Sequence, residues 1–162
     1  MRGQWIPLTV TLAIQAMVAM AVLTLPVMAP AVAQALGASA AYAGVYVAIV
    51  YAGGMAASLA GGTAVARWGA IRVSQAGLVL CAAGLALCAV PSLAAMALGA
   101  FLIGLGYGPI TPASSHLLAR TTPAHRMSLV FSIKQTGVPL GGVLAGAIVP
   151  GVAVVAGWQG AL

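Results

Sequence analysis

Apolar residues run along this chain in five long blocks, each closed by a short polar or turn-forming stretch. The blocks lie near residues 6–29, 41–65, 73–91, 93–118 and 128–156. Each approaches or exceeds the roughly 20 mostly apolar residues that a helix needs to cross the hydrocarbon core of a bilayer. The breaks at 30–40, 66–72, 91–92 and 119–127 are short, which predicts antiparallel neighbours. The third break is little more than Pro91-Ser92, so spans three and four are expected to form a tight hairpin.

Composition turns this pattern into a statement about solvent. The 162 residues are 63% hydrophobic and 4% charged, with six Lys plus Arg, two His and no Asp or Glu. A soluble domain carries about 25% charged residues to cover its surface. This chain could not solvate its exterior in water, and its mean hydropathy of +1.15 agrees. Its solvent is a lipid bilayer, and the soluble and disordered classes are excluded. The formal charge of +6 does not point to nucleic acid, because the cations are scattered between apolar runs and form no basic patch or stripe. Cys81 and Cys88 share one apolar run. Their spacing, roughly 10 Å along a helix, is too long for a disulfide and reads as small buried side chains. No Cys/His spacing suggests a metal site, and no cofactor is expected.

The cations also set an orientation. Arg2 precedes span one, Arg67 and Arg72 lie between spans two and three, and Arg120, His125 and Arg126 lie between spans four and five. The breaks at 30–40 and 91–92 carry no charge. Cytoplasmic loops are enriched in Lys and Arg, so the N-terminus is expected in the cytoplasm and the far end of span five outside. Arg2, the first apolar block and Ala31-Val32-Ala33 also resemble a secretory leader with its cleavage site. Leader cores run about 7 to 15 residues, and this block is much longer, so it is expected to stay as span one. The chain ends Gly157-Trp158-Gln159-Gly160-Ala161-Leu162, with Trp158 where an interfacial aromatic belongs. Five spans followed by what reads as the start of a sixth suggest an incomplete chain.

Helices in lipid associate through small residues four apart. Span two offers Gly54, Ser58 and Gly62, span four Gly104 and Gly108, and span five Gly137, Gly141 and Ala145 with Gly142 and Gly146 alongside. Rows on several spans at once read as bundle packing. Span four contains Pro109 and Pro112, and span five Pro139. Each proline removes a backbone donor, and the carbonyl it frees must find a protein or water partner in lipid. Thr111, Ser114 and Ser115 are the nearby candidates. Pro109, Pro112, Gly137, Pro139, Gly141 and Gly142 are candidate hinge positions, either beside a binding cavity or in static kinks.

Lys134 is the candidate with the sharpest chemistry. An ionisable group inside a span costs at least about 2.5 to 3.5 kcal/mol at its centre, so it usually faces a cavity or a partner. The chain has no carboxylate to pair with it. One reading is that Lys134 attracts an anionic substrate, with Gln135 as a hydrogen-bonding neighbour. The other is that it reaches the inner headgroups, since it lies only about 9 Å into span five. Gln15, Tyr51 and Tyr107 stand near mid-span and either line one cavity or bond between helices. His116 and His125 have no acid to complete a catalytic set, so no catalytic residue is expected.

The stretch Gly62-Thr63-Ala64-Val65-Ala66-Arg67-Trp68-Gly69-Ala70-Ile71-Arg72 resembles the loop 2–3 signature of the major facilitator superfamily. That pattern has Gly, three residues, Asp, Arg, any residue, Gly and then basic residues. Gly62, Arg67 and Gly69 match. Ala66 stands at the acidic position, Ala70 and Ile71 replace the basic pair, and Arg72 follows one step later. Gly137-Val138-Pro139-Leu140-Gly141-Gly142 is similar to a span-five signature of some antiporter branches, and Gly157-Trp158-Gln159 resembles the Gly-Trp-Arg often found before span six. The resemblance implies an all-α, multi-pass helix bundle, the first five of six spans in an N-terminal half. It also implies a non-enzymatic secondary transporter moving a small solute by alternating access, and a C-terminal half as partner. The loop of Gly62, Arg67, Gly69 and Arg72 would take part in gating, although Ala66 cannot supply the family's acidic lock. The expected setting is a bacterial plasma (inner) membrane. A small self-assembling pore or scaffold remains the alternative, and an intramembrane enzyme is disfavoured by the missing acids.

Overall fold

A backbone in lipid must satisfy its amides within its own helix. Residues 5–162, which the computed structural model describes, are accordingly 89% helical and contain no strands. The helices are α1 (Trp5–Val27), α2 (Ala29–Leu36), α3 (Tyr42–Trp68), α4 (Ala70–Cys88), α5 (Leu93–Tyr107), α6 (Ile110–Thr121), α7 (Met127–Gln135) and α8 (Gly137–Gly160), with a 3-10 turn at Ala124–Arg126 before α7. Five units are long and apolar enough to cross a membrane: α1, α3, α4, α5 with α6, and the 3-10 turn with α7 and α8. They coincide with the five apolar blocks. Arg2 lies outside the described residues.

Two connections are shorter than the sequence suggests. Much of the break at 30–40 is helical. Pro30 sits in the first turn of α2, where its missing N–H costs nothing. Gly37 closes that helix in the left-handed conformation, φ 61°, with Ala38 N donating to Ala33 O. Ala31-Val32-Ala33 therefore lie inside α2. The break at 66–72 shrinks to Gly69 alone, φ 81° and ψ 154°, between α3 and α4. Gly62 lies within α3. At the far end α8 is interrupted at Gly157, φ 74°, and Trp158, Ala161 and Leu162 pack on the main apolar cluster. Trp158 thus serves as a packing residue.

α1 is the central element, with 56% of its apolar window buried against 22% for α3 and 17% for span five. It pairs with α8 in parallel: Gly137 abuts Leu12 and Gln15, and Gly141 abuts Ala16, Ala19 and Met20. α5 packs between α3 and α4. Toward α3, in parallel, Gly104 meets the Val50 carbonyl and Gly108 the Gly54 carbonyl. Toward α4, antiparallel as the Pro91-Ser92 turn requires, Gly84 and Gly99 meet backbone to backbone, as do Gly77 and Gly106. The main core gathers around Val18, Val22, Leu25, Val50, Cys88 and Ile103.

The packing rows differ from expectation in detail. Gly61, not Gly62, turns inward, onto Pro109 and Pro112, while Gly62 and Gly146 face open space. The partner of a freed carbonyl also differs. Pro112 leaves Gly108 O without its helical donor, and Ser58 Oγ of α3 donates to it at 3.2 Å. Ser114, a nearer candidate in sequence, instead donates to Ile110 O at 2.8 Å in its own helix.

Gly104→Ala would place a methyl into the Val50 carbonyl and should cost about 1 to 3 kcal/mol, the usual range for overpacking. Gly62→Ala should leave stability unchanged or slightly raised. Unfolding in mixed micelles followed by circular dichroism measures both, and equal stability of the two variants would contradict the close α3–α5 approach.

Candidate functional site

The basic residues Arg67, Arg72, Arg120 and Arg126 fall at one end of the bundle, called here the basic end. One face of span five is inward along its length: Val130, Lys134, Gly137, Gly141, Ala145 and Val149 are all buried. The spacing of four, three, four, four and four residues is a helical stripe, and its glycines meet α1. Lys134 occupies that stripe one turn before Gly137. It is 1% exposed, so the side chain packs within the protein and not on its outer surface. Nζ donates to Gln135 Oε1 at 3.1 Å, and Gln135 itself faces outward.

The route from Lys134 toward the basic end along this face is closed. Leu8 of α1, Leu118 of α6 and Val130 of α7 form a buried apolar cluster there, flanked by Phe131 and Ile133. Val130 precedes Lys134 by one turn on the same stripe. An ammonium has three donors. Gln135 Oε1 is its hydrogen-bond acceptor among the described residues, and the sequence contains no carboxylate that could face it.

Gln15 lies across the seam. It is 1% exposed, and its Oε1 has no hydrogen-bond partner. A Cβ added at Gly137 would stand 2.9 Å from Gln15 Cβ, so this glycine is what lets α8 sit directly over the glutamine. Thr11, one turn before Gln15 on α1, is also buried and donates to Pro7 O at 2.8 Å. Thr11, Ser74, Gln75 and Ser114 supply the polar edge of a 160 Å³ cavity between α1, α4 and α6. Sequence reasoning missed Thr11 and Ser74. Their signal was weak, since hydroxyls are common in membrane helices and often bond their own preceding turn.

The other candidates stand elsewhere. Tyr51 and Tyr107 meet edge to face on the α3–α5 seam, with ring centroids 6.3 Å apart at 89°. The structure thus gathers the polar candidates at two seams, with Gln15 and Lys134 along α1 and span five, and the tyrosines along α3 and α5. The hinge candidates divide likewise. Pro109 lies in the α5–α6 break and Pro112 in the first turn of α6, and Pro139 follows the α7–α8 break at Thr136. Gly137 and Gly141 are packed on α1, and Gly142 approaches Leu23. Of the loop residues, Arg67 lies over the Trp68 ring at 5.8 Å, and Arg72 begins α4. His116 and His125 are both exposed, and no cluster among the described residues could hold a metal ion.

Five apolar membrane-crossing units, with α1 at the centre of the other four, define a polytopic membrane protein. The profile of the Major Facilitator Superfamily matches residues 11–162, and the chain belongs to that family. Comparison with curated proteins and with solved structures gives no match. The family is a class of membrane transporters for small solutes rather than of enzymes.

If the buried Gln15 amide serves the solute and not the fold, Gln15→Leu should be at least as stable as the parent. It removes an unpartnered buried acceptor, and apolar replacement of such groups is near neutral or stabilising. A loss of more than about 1 kcal/mol in micelle unfolding would instead mark Gln15 as structural.

Proposed function

We propose that the protein forms the first five spans of the N-terminal half of a secondary transporter that moves a small organic anion by alternating access, with Lys134 as the main anion-binding group. The observation that carries this reading is a lysine 1% exposed in a chain without Asp or Glu. A buried charge without a counter-charge is costly. A carboxylate or phosphate on the solute would offset that cost whenever the site is occupied. Gln135 and Gln15 supply amide donors for the anion's remaining oxygens, and Thr11 adds a hydroxyl on the same side of α1.

Rocking against a second half would expose this seam to one side of the membrane and then the other. In this reading Arg67, Gly69 and Arg72 belong to the gate at the basic end, Tyr51 and Tyr107 to a second contact with the solute, and the proline breaks in spans four and five to the moving parts. The basic end faces the cytoplasm of a bacterial cell, following the positive-inside rule.

Lys134→Met in the complete transporter should lower uptake into vesicles about ten- to a hundredfold, the worth of a hydrogen bond to a charged group, while the fold is kept. Unchanged affinity and rate would sink the anion site. The orientation is checked with single cysteines at Ala124 and Ser39 in a Cys81→Ala, Cys88→Ala background. An impermeant maleimide added to intact cells should label the position at Ser39 and leave that at Ala124 untouched, and the reverse pattern would invert the topology.

A further inference from the structure

A groove of 390 Å³ opens on the outer side of the bundle at the basic end, between α3, α4 and α5. It has a definite polarity. Trp68 of α3 and Arg72 of α4 stand at its mouth, both exposed. Ala76 and Leu80 continue from Arg72 along one face of α4 at four-residue spacing, and Leu105 and Pro109 form the facing wall. The small Ala76 and the adjoining Gly77 keep the slot open. Arg72, Ala76 and Leu80 span roughly 12 Å of helix rise, so the slot leads from the basic rim into the hydrocarbon region. An aqueous solute would find almost no polar partner along it.

The mouth is strongly cationic for its size. Arg67 lies over the Trp68 ring at 5.8 Å, and Arg72 follows on the other side of the Gly69 junction. α4 begins there with no side chain capping its first amides, and a helix start of this length favours a negative group beside it. The chain has no Asp or Glu to occupy this place. A tryptophan and basic side chains at the rim of an apolar slot between membrane helices match the chemistry of a lipid with an anionic headgroup.

We propose that this groove is a binding site for an anionic phospholipid. Its phosphate is held by Arg72 at the start of α4, and one acyl chain lies along Ala76 and Leu80 against Leu105 and Pro109. The site is separate from the Lys134 seam and does not depend on which solute is carried. Because its walls include α3, α4 and the Pro109 break of span four, an occupying lipid would bridge the two helices joined at Gly69 to the kinked one.

The test uses the full chain with Trp5→Phe and Trp158→Phe, leaving Trp68 as the fluorescent reporter, in phosphatidylcholine vesicles. Brominated phosphatidylglycerol should quench Trp68 with about fivefold preference over brominated phosphatidylcholine, as expected for one basic side chain near the surface. Arg72→Gln should reduce that preference to near unity. Ala76→Phe, which fills the slot at an exposed position without altering charge, should do the same. Equal quenching by the two lipids in the parent would overturn the site. A preference that survives Ala76→Phe would also overturn it, showing diffuse attraction to the basic end. Arg67→Gln should weaken the preference less than Arg72→Gln, and the opposite order would contradict the assignment of the phosphate to Arg72.

Discussion

The bundle depends on how closely α5 can approach two neighbours at once. In lipid there is no hydrophobic drive to bring apolar helices together, so association rests on van der Waals contact and on whatever polar bonds the interface permits. α5 meets α3 with Gly104 and Gly108 and α4 with Gly99 and Gly106, two glycine faces on one short helix. Backbone then touches backbone on both sides, and the three helices form a unit on which α1 and span five are laid. The break at Gly108 and Pro109 follows this close contact, and beyond it Gly61 of α3 still packs on Pro109 and Pro112. Ser58, reaching the carbonyl freed by Pro112, ties this break to α3.

Charge in this chain is as one-sided as its packing is close. Every charged side chain is cationic, so what the chain offers these cations is dipoles and π faces, as in Arg67 over Trp68. The cations sort into two environments. Arg67, Arg72, Arg120 and Arg126 stand at the basic end, where water and headgroups can solvate them. Among the described cations Lys134 alone is enclosed, beneath an apolar plug of Leu8, Leu118 and Val130. The plug separates the two environments, and it makes the lysine a component of the interior.

The five spans were legible because length and hydropathy alone decide them, and α1, α3 and α4 begin or end within a few residues of the apolar blocks. The finer points needed geometry. Gly61 and Gly62 are equivalent in sequence, and only the rotation of α3 determines that Gly61 meets the prolines. Ser58 as the partner of Gly108 lies fifty residues away, beyond any local rule, whereas Ser114 looked closer and was already engaged in its own turn. The burial of Lys134 was open for the same reason. Its depth along the span was readable, but the rotation of α7 that turns it toward α1 depends on Gly137 and Gly141 seating on that helix. Helix α2 was missed because small and proline residues there read as a break, although Pro30 and Gly37 fit a helix start and stop.

The Gly69 junction makes the connection between spans two and three a short elbow and not a tether. With one residue between α3 and α4 there is no slack to absorb sliding of one helix past the other, and every relative movement must pass through two dihedral angles. Arg67 and Arg72 are then held at a nearly fixed separation whatever the rest of the bundle does. A change of tilt between α3 and α4 is then confined to rotation about the φ and ψ of Gly69, so this junction works as an elbow whose arms are each a full membrane span.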